Sequence, residues 1–92
     1  MRKSDILNYM NTIDDMECSC NHIMNMLKVG MLNEFEISYL ERFLNKEVVG
    51  LSYIVKDLGV EILVNKTNDI ITGMKYMINM IRKIKSKEEI NH

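Results

Sequence analysis

Apolar side chains return every three or four residues along the first third of the chain. Ile6, Tyr9, Ile13, Met16, Cys20, Ile23 and Leu27 advance by alternating steps of 3 and 4. On a 3.6-residue repeat that spacing puts all seven on one side of an amphipathic helix. Ser4 and Asp5 offer a capping hydroxyl and an acid for its positive end. Lys28 and Gly30 offer a cationic last turn and a residue that tolerates positive φ. The pattern predicts a helix over 4–29.

The chain restarts at Asn33-Glu34-Phe35-Glu36, with Asn and Glu at the two ends of a capping box. Leu32 and Ile37 stand at the positions a hydrophobic staple uses. Ile37, Leu40, Leu44, Val48, Leu51, Val55 and Leu58 then hold the helical period until Gly59, which predicts a second helix over 34–58.

The third segment admits two starts. The run Val60–Val64 is rich in β-branched residues and reads as a short strand or an irregular lead-in, with Thr67 or Asn68 capping a helix that begins near Asp69. Alternatively the helix begins near Val60. Leu63, Thr67, Ile70, Met74, Met77, Ile81 and Ile84 keep the period, and only Thr67 is out of class. A lone strand has no partner in the chain, which favours the helix or a lead-in. The segment is expected to end near Lys87, with 88–92 as a frayed tail.

Short connections around Gly30 and Gly59 make successive helices antiparallel neighbours. The expected fold is all-α, an antiparallel up-down-up bundle of three long helices in one domain spanning 1–92. Homodimerisation that completes a larger bundle is a variant of it.

A second row on helix 2 departs from a featureless outer face. Phe35, Tyr39, Arg42, Lys46, Val49, Tyr53 and Lys56 also advance by steps of 4 and 3, on the side opposite the core row. Two tyrosines, a phenylalanine and a valine interleave there with three cations. Tyrosine and arginine are favoured at interfaces because they bury area while keeping a polar tip satisfied. The row reads as a docking face for another protein or for a second copy. The competing reading makes helix 2 the central helix, covered on both sides within one bundle.

Composition narrows the function classes. At 92 residues, 47 % hydrophobic, 27 % charged and net charge −1, the chain is globular and carries no global basic field. It has no proline, tryptophan, alanine or glutamine and abundant Ile, Asn, Lys and Met, a residue usage typical of AT-rich genomes such as those of low-GC bacteria and their phages. No apolar run is long enough to span a membrane. The N-terminal stretch is broken by Asp and Asn and does not read as a signal peptide. A cytoplasmic location with reduced cysteines is therefore expected.

The densest chemistry lies in Asp14–His22, "DDMECSCNH". On a helix Cys18 and Cys20 stand about 200° apart, so they cannot close on one ion. Cys20 joins the core row, while Asp14, Cys18 and His22 align along the outer face. These three make only a weak metal candidate, because a structural zinc site needs four ligands. The expectation is no metal and no cofactor.

Arg82, Lys83, Lys85 and Lys87 concentrate at the end of helix 3. The helix dipole alone accounts for cations there, and as a nucleic-acid contact the patch is small. No Walker, GxGxxG, HExxH or GxSxG pattern is present. Met10, Met16, Met24, Met74 and Met77 read as core filling, and Met26, Met31 and Met80 as candidates for exposure.

The expected function is a non-enzymatic helical protein that acts by protein–protein interaction. An inhibitor or adaptor of a larger host complex, encoded by a phage or mobile element, exemplifies the class, as in anti-CRISPR or other anti-defence proteins. The alternative is a homodimeric nucleic-acid-binding transcriptional regulator that uses the basic end of helix 3 with the helix 2 row.

Overall fold

The computed structural model describes residues 3–90, with side-chain surroundings for 4–87. Three helices follow one another: α1, Lys3–Lys28; α2, Glu34–Asp57; and α3, Glu61–Ile90. The three-helix bundle read from the periodicity is the fold observed. It is long for its mass, 54 × 21 × 17 Å. Its radius of gyration is 15.2 Å, against about 12 Å for a compact domain of this length.

The first turn is built as the punctuation implies, whereas at the second α2 closes on an extended Leu58 and Gly59 takes no positive φ. Gly30 has φ +72°. Its amide bonds the Leu27 carbonyl at 3.3 Å and the Met31 amide bonds the Met26 carbonyl at 3.1 Å, the two bonds of a Schellman motif. Asn33 Oδ1 then accepts from the Glu36 amide at 2.8 Å, and Glu36 Oε1 accepts from the Asn33 amide at 3.1 Å. The capping box is therefore complete.

Other boundaries move. Ser4 lies inside the first turn of α1 and not at its cap, since the helix already includes Lys3. Val60–Val64 is neither strand nor irregular lead-in. The amides of Leu63 and Val64 bond the Val60 carbonyl and start α3 there. Thr67 and Asn68 consequently lie within the helix. Thr67 is tolerated in the core row because its hydroxyl donates to the Leu63 carbonyl at 2.7 Å. At the other end α3 continues through Ile90, across positions read as a frayed tail, because no proline or glycine follows Gly73 to stop it.

The largest revision concerns which helix is central. Backbones approach within 8 Å between α1 and α3 and between α2 and α3, but among the described residues not between α1 and α2. Helix α3, not α2, is packed on two sides. Its sequence explains this. Ile70 and Ile71, and again Met77 and Ile78, are adjacent buried pairs. Neighbours in sequence point about 100° apart, so α3 carries an apolar arc wide enough for two partners.

Tyr9 of α1 meets Thr67 near the start of α3, whereas Met24 lies near Ile70 and Gly73, so these two helices run in the same direction. Glu41, early in α2, meets Lys85, late in α3, so this pair is antiparallel. Ile13, Leu44, Met77 and Ile81 sit at the centre of the core. Each such side chain contributes roughly 1.5–3 kcal/mol by leaving water.

The methionines follow the packing. Met74 and Met77 are buried, and Met16, Met24 and Met80 pack half-buried against the core. Met80 is thus less exposed than its position suggests, while Met31 is largely exposed.

Candidate functional site

Ile37, Leu40, Leu44 and Leu51 hold α2 against the core, which turns the opposite side of the helix outward. Every member of the second row lies there. Phe35, Tyr39, Arg42, Lys46, Val49, Tyr53 and Lys56 are all exposed, Phe35 to 77 % and Tyr53 to 67 %. The competing reading, in which helix 2 is covered on both sides, is overturned by the central position of α3. The Lys56 ammonium stands 5.4 Å from the centroid of the Tyr53 ring, within reach of a cation–π attraction of about 0.5–1 kcal/mol at an exposed site.

Two further apolar side chains widen this face toward α1: Phe43 and Ile54, both exposed. Neither belongs to the inner or the outer row, and reading only two rows missed them. Phe43 is recoverable from the i, i+4 step after Tyr39, which continues Phe35–Tyr39 into an aromatic line.

Because α1 and α2 are splayed, an apolar trough runs between them. Its upper part, where α1 ends and α2 begins, has a volume of about 420 Å³ and is lined by Ile23, Met26 and Leu32 facing Phe35, Tyr39 and Leu40. Its lower part, of about 280 Å³, has Met16, Cys20 and Ile23 on one wall and Phe43, Leu44 and Glu47 on the other, with Met74 of α3 also lining it. Phe35, Tyr39 and Phe43 thus form a ridge along one lip of the trough. On the ridge's outer flank, Tyr39, Arg42, Phe43 and Lys46 line a further hollow of about 330 Å³.

Charge divides the same way. Asp15, Glu36 and Glu47 line the trough, while Arg42 and Lys46 stand on the outer flank of the ridge.

The cysteine-rich stretch separates on its helix as the geometry requires. Cys20 is half-buried, and burial first, then the charge of Glu17, pushes its thiol up from the ordinary value. Asp14, Cys18 and His22 are exposed. Asp14 is engaged by Lys66 of α3, with Nζ 3.2 Å from Oδ1. Among the described residues no group of three His, Cys, Asp or Glu side chains is placed to hold a metal ion.

The basic end of α3 is partly neutralised. Glu41 of α2 accepts from Lys85 Nζ at 2.6 Å and lies 3.8 Å from Arg82 Nε. Lys83 and Lys87 remain exposed. Two of the four cations therefore tie α3 to α2 and are less available to phosphate.

Among the described residues no helix is long and apolar enough to cross a membrane. Compared with protein-family models, curated proteins and solved structures, the chain matches none of the three.

Proposed function

We propose that this small all-helical protein works by docking onto another protein through the outward face of α2, and that it is not an enzyme. One observation carries the reading. Four large apolar side chains, Phe35, Tyr39, Val49 and Tyr53, stand exposed on one helix face among Arg42, Lys46 and Lys56. An apolar face rimmed by cations is costly to leave in water and is characteristic of interaction sites. Aromatic residues and arginine are also the types that most often dominate binding energy. Occluding or bridging a surface of a larger complex, as a phage- or mobile-element-encoded inhibitor or adaptor does, fits the size and the residue usage of the chain.

The test compares proteins captured by the immobilised wild-type chain with those captured by the Tyr39→Ala/Tyr53→Ala variant. A protein retained by the wild type and lost by the variant supports docking through this face. An unchanged set rejects it.

A further inference from the structure

We propose that the chain forms a two-fold symmetric dimer, in which the aromatic ridge of each α2 lies in the α1/α2 trough of the other copy and the two α2 helices run in the same direction. This rests on the reading of α2 as a docking face and names a second copy as one occupant.

The area points to a large uncovered surface. The chain exposes 6657 Å², whereas a compact monomer of its mass exposes about 5,500 Å². The excess of about 1,100 Å² accompanies the elongated shape of the bundle, 54 × 21 × 17 Å. It compares with about 800 Å² that each partner contributes to a standard protein interface.

Shape and charge then select the partner and its orientation. A ridge beside a trough of the same length is self-complementary under a two-fold rotation. Phe35 and Tyr39 border the upper part of the trough and Phe43 the lower part, so ridge and trough share levels along α2. A two-fold axis parallel to α2 keeps those levels and exchanges the two sides. Each ridge then faces a trough, and Asp15, on the α1 wall, faces Arg42 and Lys46 of the other copy. An axis running across the helices reverses the levels but keeps the sides. That would set trough against trough and acid against acid, which is unfavourable by several kcal/mol for close like charges. Only the parallel arrangement satisfies shape and charge together.

Light scattering and sedimentation equilibrium on the full chain, over a concentration series reaching high micromolar, test the proposal. The expected mass is twice that of one chain. Phe43→Asp is expected to give a monomer with unchanged helicity, since Phe43 is exposed and outside the core. Phe43→Ser replaces it if the aspartate variant loses helicity. Asp15→Lys and Lys46→Asp are each expected to weaken dimerisation by about tenfold or more. Combining them in one chain is expected to restore it, because each reversed charge again meets its opposite across the axis.

A monomeric wild type throughout the series, or a dimer indifferent to both Phe43 substitutions, overturns the proposal. A double reversal no stronger than the single ones overturns the parallel arrangement. Tyr53 lies beyond the trough and separates this proposal from docking in general. A monomeric wild type that loses a captured partner on Tyr53→Ala rejects the dimer alone. A dimer that captures the same proteins with and without Tyr53→Ala and Tyr39→Ala rejects docking of another protein alone.

Discussion

Tyr9 donates a hydrogen bond to Thr67 across the α1–α3 interface, with 2.8 Å between the two hydroxyl oxygens. The direction follows from Thr67, whose own proton is committed to the Leu63 carbonyl. Thr67 is 0 % exposed and is the one polar side chain among the buried residues described. A hydroxyl at that depth is tolerated because both its donor and an acceptor site are used. The pair also sets the register of α1 on α3, since only one alignment brings the two groups together.

Removing either half is expected to destabilise the fold, and unequally. Tyr9→Phe loses one hydrogen bond and should cost about 0.5–1.5 kcal/mol. Thr67→Val strands the Tyr9 hydroxyl in a half-buried position and should cost about 1–3 kcal/mol. The double variant is expected to lose less than the sum of the two. Urea denaturation followed by circular dichroism measures all three, and strict additivity would show that the hydroxyls do not interact.

Two glycine substitutions are expected to act with opposite sign, although a Cβ meets nothing within 4 Å at either position. Gly30 holds φ +72°, so Gly30→Ala pays the left-handed penalty of about 1–2 kcal/mol. Gly50 is an exposed interior residue of α2, where alanine should stabilise by about 0.5–1 kcal/mol. Melting temperatures of the two variants are expected to fall on either side of the wild type.

Cys18 and Cys20 are expected to react at different rates. Cys18 is exposed, whereas Cys20 is half-buried and its thiol is held protonated above the ordinary value by burial and by Glu17. Alkylation followed by peptide mass mapping should label Cys18 first. The same shift bears on stability. A thiol raised in the folded state binds its proton more tightly there than in the unfolded chain, so it contributes fully below the unfolded pKa. That contribution is lost as pH rises from about 9 through the folded value. Cys20→Ser should flatten the alkaline fall in stability.

Glu41 joins the basic end of α3 to α2, and its loss is expected to show in two measurements. Glu41→Gln leaves Arg82 and Lys85 without their acid and should destabilise by about 0.5–1 kcal/mol at low salt, less at high salt. Wild-type chain is expected to show no micromolar, steeply salt-dependent binding to random duplex DNA. Such binding, if observed and strengthened by Glu41→Gln, would favour the nucleic-acid reading over the docking of a protein.

The helices were legible because their evidence is local. Capping box, glycine stop and apolar period are each a relation between residues a few positions apart. Where the reading slipped, at Ser4 and beyond Lys87, a local signal was weak or absent. The start of α3, which the sequence left between two positions, falls at the Val60 alternative although no capping side chain marks it. The central place of α3 was partly visible in the adjacent pairs Ile70–Ile71 and Met77–Ile78. Following one apolar row per helix concealed it, since one row describes a helix packed on one side only.

The outer row on α2 was likewise visible in spacing alone, but the trough was not. Whether Phe43 is core, loop cover or the lip of a groove depends on the distance between α1 and α2, and no spacing within either helix encodes that distance.

By itself the chain determined three amphipathic helices, two tight turns, the separation of Cys18 from Cys20, and an aromatic and cationic row on α2, all consequences of short-range geometry. The tertiary structure decided which helix lies at the centre, where Glu41 finds its cations and Tyr9 its threonine, and that α1 and α2 stand apart. Those outcomes follow from how three apolar surfaces of unequal width share one core: the widest takes the middle, and the other two are left with a groove between them.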